Sequence, residues 1–193
     1  MTSMSLSVIY GYEREIKNVI GFFDDGSNCS VIRNSLARDL GLWGENVTLE
    51  LGTVNATTKI ETKLYCIELL DNFGHRHLIK AFGLDTISGI LPSVSLLAIK
   101  GEFSTHVQLN WSKMERPFGL EIDLLIGSEV AHLHPKQLET VGRLVVKTSI
   151  FGSGYVLNGA HENIESKSVE LERNIQILQS GCFRSNKLVE WVL

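Results

Sequence analysis

A buried strand that ends in an acidic turn constrains this chain more than any other feature. Residues 19–32 read VIGFFDDGSNCSVI, in which an apolar run meets Asp24, Asp25, Gly26 and Ser27 before the apolar pattern resumes. This pattern predicts a strand, a tight turn and a second strand. A carboxylate is thereby held at the edge of an apolar core, where its pKa and its rotamer can both be controlled.

The turn itself can support that carboxylate. Gly26 permits a positive φ or the close approach of another backbone, and the amides of Gly26 and Ser27 are placed to donate hydrogen bonds to the carboxylate. Such geometry suits acid and base chemistry on water. An Asp-x-Gly turn is also a common structural way to end a strand, so the turn alone does not define a site.

A second apolar run that ends in glycine occurs much later in the chain. Residues 122–129 read IDLLIGSE and include Leu125, Ile126 and Gly127. An apolar run followed by Asp-x-Gly-Ser, with a later apolar run followed by Gly, resembles the retroviral-type aspartic proteases. In those proteases the later strand threads beside the catalytic loop.

Four blocks in order make the resemblance more specific. They read FFDDGSN at 22–28, NSLARDLGL at 34–42, EIDLLIGSE at 121–129 and KTSIFGSGYVLNG at 147–159. In this order they resemble the aspartic protease domain of Pao/BEL-type long-terminal-repeat retrotransposons, and they cover most of residues 5–160. One residue departs from the family pattern, since Asp25 stands where the family has Ser or Thr.

The resemblance implies a mainly β fold, namely a closed β-barrel of the retropepsin-like aspartic protease type with one or two short helices. Residues 1–160 would form this domain. A helical tail or linker, residues 161–193, would follow, because its polar sequence carries Leu171, Ile175 and Leu178 at helical spacing.

The function implied by the resemblance is that of an aspartic endopeptidase that processes a polyprotein. Its chemistry needs two carboxylates that share a proton across one water, and the sequence has one Asp-x-Gly block, so a homodimer must supply the second Asp24. One Asp24 would act as general base toward water, while the other, protonated, would hydrogen-bond the scissile carbonyl. No metal and no cofactor is needed. The supporting strand would contain Leu125, Ile126 and Gly127, and the tip of a flap would contain Gly52, Thr53, Val54 and Asn55.

Asp25 leaves a second function open. In the family the Ser or Thr donates a hydroxyl hydrogen bond across the dimer, which an ionised carboxylate cannot do because it only accepts. Two facing Asp25 side chains would either repel each other or be protonated, so dimerisation and activity are expected to be favoured below neutral pH. The alternative function is a catalytically weakened or inactive protease-like module for dimerisation or binding. A β-barrel binding protein unrelated to proteases would leave the four blocks unexplained.

Composition limits the binding partners and the cellular location that can be expected for this chain. A chain of 193 residues with 44% hydrophobic residues can form one domain with a sizeable core. A formal net charge of -4 and the lack of a Lys/Arg run favour neither a nucleic acid nor a membrane partner. The first residues lack the pattern of a signal peptide, and the odd number of cysteines favours free thiols, so a cytoplasmic location is expected.

Local patterns predict the remaining elements. Hairpins are expected at 6–23, 47–60 and 63–84, with Cys66 and its alternate neighbours pointing inward. Asn34 or Ser35 should cap a short helix that buries Leu36, Ala37 and Leu40 and stops at Gly41. Pro92 should end a strand. A short helix is expected at 128–133 and further β structure at 143–157.

The residue types needed for a zinc site or for a Ser/His/Asp catalytic site are present, but their spacing in the sequence supports neither. The pairs His75/His77 and His132/His134 would each present two rings on one face of a strand, but no third and fourth ligands lie nearby in sequence, so a zinc site is not expected. Catalysis by Ser, His and Asp would require a nucleophile elbow, and no G-x-S-x-G motif occurs.

Overall fold

The computed structural model describes residues 3–53, 56–88, 93–94, 121–159, 166–167 and 181–185. Most of these residues lie in strands, which confirms the prediction of a mainly β fold. Two short helices occur in the described ranges, α1 (Asn34–Asp39) and a 3-10 helix (Ser128–Leu133). The strands are β1 (Ser3–Tyr10), β2 (Glu15–Phe23), β3 (Ser30–Arg33), β4 (Gly44–Thr53), β5 (Ala56–Leu70), β6 (Arg76–Leu84), β7 (Ser93–Val94), β8 (Leu124–Ile126), β9 (Lys136–Val141), β10 (Leu144–Thr148), β11 (Tyr155–Gly159), β12 (Ser166–Lys167) and β13 (Gly181–Ser185).

The main sheet has eight strands in the order β1-β2-β8-β3-β6-β5-β4-β13. Strand β1 also pairs with β5, so the pairings of β1, β2, β8, β3, β6 and β5 close into a ring. Strands β4 and β13 extend outward from β5. A smaller sheet of three strands, β11-β10-β9, follows the 3-10 helix in the chain.

The three predicted hairpins are present. Strands β1 and β2 pair up to Tyr10↔Glu15, and the turn between them contains Gly11 at φ +69° and Arg14 at φ +58°. Strands β4 and β5 pair without interruption to Thr53↔Ala56, and β5 pairs with β6 across a turn that begins at Asp71. Period-two alternation with polar or glycine-containing turns was therefore a sufficient signal for these elements.

Buried side chains on the strands of the ring form the main core, which contains Leu6, Val8, Val19, Ile67, Leu69, Leu124 and Ile126. Full burial of such a side chain contributes about 1.5–3 kcal/mol. Gly21 is required by this packing, because a Cβ atom there would lie 2.0 Å from a methyl carbon of Leu6. Helix α1 adds Leu36, Ala37 and Leu40 to the core, as its spacing predicts. A second apolar cluster contains Phe22, Cys29, Val31, Ile87, Ile122 and Leu125.

The prediction that Cys66 points inward is wrong. Cys66 is exposed, whereas Tyr65, Ile67 and Leu69 are buried. Both alternating sets of this strand contain apolar residues, so the pattern did not fix which face is buried.

The predicted side-chain cap of α1 is also wrong. Arg33 occupies the N-cap position while still belonging to β3, and no side chain caps the helix. The side-chain amide of Asn34 instead donates a hydrogen bond of 2.8 Å to the carboxylate of Asp85. The predicted stop at Gly41 is confirmed, since Gly41 adopts φ +61° directly after the C-cap Leu40.

Part of the predicted tail lies outside the described residues, including the stripe Leu171, Ile175 and Leu178. The described parts of 161–193 are strands: β12 pairs with β7, and β13 pairs with β4. Pro92 also lies outside the described residues. Among the helices that are described, none is long and apolar enough to span a membrane.

Candidate active site

The acidic loop runs from β2 to β3 around the end of β8. Strand β8 lies between these two strands, parallel to β2 through Phe23↔Ile126 and antiparallel to β3 through Val31↔Leu125. Residues 24–29 therefore leave the sheet on one side of β8 and return on the other. This places Leu125, Ile126 and Gly127 beside the loop. Their role as the supporting strand of an active site stays a prediction.

Asp24 is fixed to its neighbours at both its backbone and its side chain. Its amide donates a hydrogen bond of 3.0 Å to the carbonyl of Ile126. Its Oδ1 atom accepts a hydrogen bond of 3.0 Å from the amide of Gly26. These bonds orient the carboxylate within the loop. Because the residue is only half-buried, the carboxylate is still accessible.

Two details of the predicted turn differ from the structure. The amide of Ser27 donates to the carbonyl oxygen of Asp24, at 3.3 Å, and not to its carboxylate. Gly26 does not adopt a positive φ. A Cβ atom at Gly26 would lie 3.3 Å from Oδ1 of Asp24, so a side chain there would require a small shift of the carboxylate.

Ser27 ties the base of the loop to the segment after β8. Its buried hydroxyl donates a hydrogen bond of 2.9 Å to the carbonyl of Cys29, and its own carbonyl accepts a bond of 2.7 Å from the amide of Ser128. The hydroxyl of Ser128 donates to the side-chain oxygen of Asn28 at 3.1 Å. Because these bonds cross between two distant segments, they hold the loop in one conformation.

A second set of hydrogen bonds passes from Gly127 through Ser30 to Glu129. The amide of Gly127 donates to the Ser30 hydroxyl at 3.0 Å, and that hydroxyl donates to Oε1 of Glu129 at 2.5 Å. The Ser30 amide donates to the same carboxylate oxygen at 2.8 Å. Gly127 itself has no room for a side chain, since a Cβ atom would lie 2.6 Å from the backbone of Cys29.

Asp25 has a partner within its own chain. Its Oδ1 atom lies 2.6 Å from Nδ1 of His134, and Nε2 of that ring lies 2.8 Å from the carbonyl oxygen of Gly127. The His134 side chain is 8% exposed, whereas that of Asp25 is 77% exposed. The ring of Phe23 packs edge-on against the imidazole at a centroid distance of 5.2 Å.

Asp123 joins the strands on both sides of β8. One of its carboxylate oxygens accepts a hydrogen bond of 2.9 Å from the amide of Ile20, and the other binds the guanidinium of Arg33. Arg33 also contacts Glu121 at 2.8 Å. The position of β8 is therefore fixed by charged groups as well as by strand pairing.

Cys29 lies in the second apolar cluster directly behind the loop. Burial raises the pKa of the Cys29 thiol to about 12, and the charge of Glu129 adds to this effect. The thiol is therefore protonated at neutral pH and is a poor nucleophile.

The predicted flap residues lie on a different part of the sheet. Gly52 and Thr53 end β4, and the sheet order separates β4 from β8 by β5, β6 and β3. Val54 and Asn55 lie outside the described residues. The β4–β5 hairpin is thus established, and its role as a flap stays a prediction.

The pair His75 and His77 is arranged around one carboxylate, that of Asp71. Nδ1 of His75 and Nε2 of His77 lie 3.1 Å and 3.0 Å from Oδ2 of the buried Asp71. Within the described ranges, no group of three or more His, Cys, Asp and Glu side chains is placed to hold a metal ion.

Sequence reasoning did not find four of the residues that organise this site. Asp123 had a visible signal, since an acidic residue within an apolar run needs a partner. Glu129 and His134 were noticed only as parts of motifs, and Ser30 had no distinguishing feature. The bonds of these residues join segments far apart in sequence, as the Ser30–Glu129 and Asp25–His134 contacts illustrate.

Comparison of the chain with protein-family models, with curated proteins and with solved structures finds no significant match in any of the three.

Proposed function

We propose that the chain is an aspartic endopeptidase of the retrotransposon type, in which the Asp24 carboxylates of two identical subunits activate one water. The observation that carries the proposal is the position of Asp24 at the end of β2 beside β8. There its amide is bound by Ile126 and its carboxylate by Gly26, while the residue stays accessible. A carboxylate fixed in this way needs little reorganisation to act on water.

The chemistry follows from two such carboxylates brought together. Like charges held close cannot both ionise, so the pair of Asp24 residues would hold one shared proton. The ionised member takes a proton from water as the water attacks the scissile carbonyl, and the protonated member hydrogen-bonds the carbonyl oxygen. The titration then belongs to the pair and not to either residue alone.

The fold proposed for this function is a closed barrel of the retropepsin-like type. Its support is the ring of pairings formed by β1, β2, β8, β3, β6 and β5. In the same proposal the β4–β5 hairpin is the flap that covers a bound peptide and excludes water. Peptide or polyprotein segments are the substrates, and a second copy of the chain is the obligatory partner.

A specific observation also favours an alternative, a protease-like module that binds or dimerises without cleavage. Asp25 is engaged by His134 of the same chain and offers no hydroxyl hydrogen bond to a second subunit. A dimer that lacks this bond would align its two Asp24 carboxylates less firmly. The same surface could then serve association alone.

The test is peptide cleavage by the purified full chain at several pH values, with and without a general inhibitor of aspartic proteases. We expect inhibitor-sensitive cleavage that Asp24→Asn abolishes, because a neutral amide cannot act as a base. Asp39→Asn is the matched control, since Asp39 lies on α1 and its side chain forms an exposed ion pair with Lys17 at 3.8 Å.

The outcomes separate the two candidate functions. Cleavage that persists in a folded Asp24→Asn variant would place the active site elsewhere. A wild-type chain that dimerises but cleaves no peptide at any pH would support the binding module. The fold of each variant is checked by circular dichroism and by its urea unfolding curve.

A further inference from the structure

The ring of His134 connects the two segments on either side of Asp24. Its Nε2 lies 2.8 Å from the carbonyl oxygen of Gly127, just after β8, and its Nδ1 lies 2.6 Å from Oδ1 of Asp25. The imidazole is almost fully covered and packs edge-on against Phe23. The ring is therefore fixed in place, and the exposed Asp25 side chain reaches it from the loop.

These contacts determine how many protons the pair must hold. A carbonyl oxygen only accepts, so Nε2 carries a hydrogen and donates it to Gly127. The contact between Nδ1 and Asp25 then needs one further proton, held either by an imidazolium or by a carboxylic acid. A neutral imidazole opposite an ionised Asp25 would place two acceptors against each other. The bridge therefore exists only while this additional proton is bound.

We propose that His134 is a positioning residue for the candidate active-site loop, and that the proton it shares with Asp25 regulates how firmly the loop is held. The inference rests on the proposed function, because the loop in question carries Asp24. With the proton bound, His134 joins Asp25 to Gly127 and balances the carboxylate charge next to Asp24. Without it, the bridge opens and an unbalanced negative charge remains beside the catalytic pair.

The charged surroundings of the ring are simple in the described part of the chain. Asp25 is the one ionisable group within hydrogen-bonding distance of the imidazole, while Phe23 and Gly127 contribute no charge. The carboxylate of Glu129 is bound by Ser30. The other titratable groups on the adjoining segments are Asp24, Cys29, His132 and Lys136.

Substitutions at Asp25 distinguish the shared proton from simple packing. In Asp25→Asn the amide can donate a hydrogen to a neutral imidazole nitrogen, so the bridge no longer needs the additional proton. In Asp25→Ala the bridge is absent at every pH. Asp24→Asn leaves both partners of the bridge intact and serves as the control.

The experiment is amide hydrogen exchange by NMR on the full chain, from about pH 5 to 8, the range in which imidazoles change charge. Protection factors, which correct for the intrinsic effect of pH on exchange, are compared for the amides of Asp24 and Gly26. In the wild type we expect protection to fall by about tenfold or more as pH rises, the equivalent of one hydrogen bond to a charged group. Asp25→Asn should keep its protection, and Asp25→Ala should have low protection throughout.

Two results would overturn the inference. One is protection in the wild type that does not change with pH, and the other is an Asp25→Asn variant that follows the wild-type curve. Asp24→Asn should keep the wild-type pH dependence at the amide of residue 24, whose acceptor is the carbonyl of Ile126, while lacking peptidase activity. The Gly26 amide is not compared in this variant, because its acceptor is the substituted side chain. If the exchange results are as expected but the wild type cleaves no peptide, the proposed function fails and the proton-dependent bridge stands.

Discussion

The carboxylate of Glu129 accepts hydrogen bonds from both the amide and the hydroxyl of Ser30, a residue with no solvent exposure. The same hydroxyl accepts a bond from Gly127. One exposed acidic residue therefore satisfies a buried polar group and ties the 3-10 helix to the start of β3. This connection lies directly behind the loop that carries Asp24.

Removal of the Glu129 carboxylate should destabilise the fold. We expect Glu129→Ala to lower the free energy of unfolding by roughly 1–3 kcal/mol, because the buried Ser30 amide and hydroxyl lose their partner. Glu129→Gln should cost less, since its amide oxygen can still accept. Urea unfolding of the three proteins measures the difference, and equal stability of Glu129→Ala and the wild type would contradict the assigned role.

Asp71 should make the stability of the fold depend on acid pH. Burial acts to raise the pKa of Asp71, but hydrogen bonds from His77, from the amides of His75 and Phe73 and from the His75 ring outweigh it and hold that pKa well below its usual range. A carboxyl whose pKa is depressed by folding stabilises the native state above its unfolded pKa of about 4. That stability is lost progressively as the pH falls below this value.

The measurement is urea unfolding of wild type and Asp71→Asn at neutral and at acid pH. At neutral pH the variant should be less stable by roughly 1–3 kcal/mol, because hydrogen bonds to a charged acceptor are replaced by weaker ones. The difference should shrink as the pH falls below about 4, because the carboxyl group of the unfolded wild-type chain then takes up a proton. Asp39→Asn, at an exposed position, should show no such trend, and a constant difference between Asp71→Asn and wild type would refute the assignment.

The two cysteines with described side chains should differ greatly in reactivity. Cys66 is exposed, whereas burial raises the pKa of Cys29 to about 12 from its ordinary value of 9.0, which lowers its thiolate fraction roughly a thousandfold. In a Cys182→Ser background we expect one thiol to react rapidly with a disulfide reagent and the second to react only on unfolding. Adding Cys29→Ala should remove the slow phase, and two fast thiols in the native protein would argue against the buried position of Cys29.

The proposed shared site should make activity depend on concentration. Because each site needs Asp24 from two chains, activity should fall faster than linearly on dilution below the dimer dissociation constant. Sedimentation measured over the same concentrations supplies that constant. Activity strictly proportional to concentration across this range would exclude a site built from two subunits.

Local sequence patterns predicted most of the sheet and little of the network around the site. Alternation in β1 and β2, and the stop of α1 at Gly41, depend on neighbouring residues, so the sequence carried a direct signal. The prediction that the Cys66 side chain points inward was wrong because both faces of β5 carry apolar residues. Asp24, Gly26 and Gly127 were found from their motifs.

The partner of Asp25 was not predicted. From the sequence, two Asp25 residues of a dimer were expected to face each other and either repel or be protonated, whereas the structure places His134 of the same chain against Asp25. That contact depends on how the 3-10 helix returns beside β8, a result of tertiary packing that no local pattern encodes. His134 was visible in the sequence only as one half of an H-x-H pair.

The position of β8 has a consequence for the way the chain folds. This strand has three residues, yet it pairs with both β2 and β3 and so completes the ring of pairings. The ring therefore cannot close during synthesis until residues 124–126 have left the ribosome. Until then, the edges of β2 and β3 that pair with β8 remain unpaired. Such long-range closure is slow compared with the formation of hairpins. The step that closes the ring is thus also the step that creates the surroundings of Asp24.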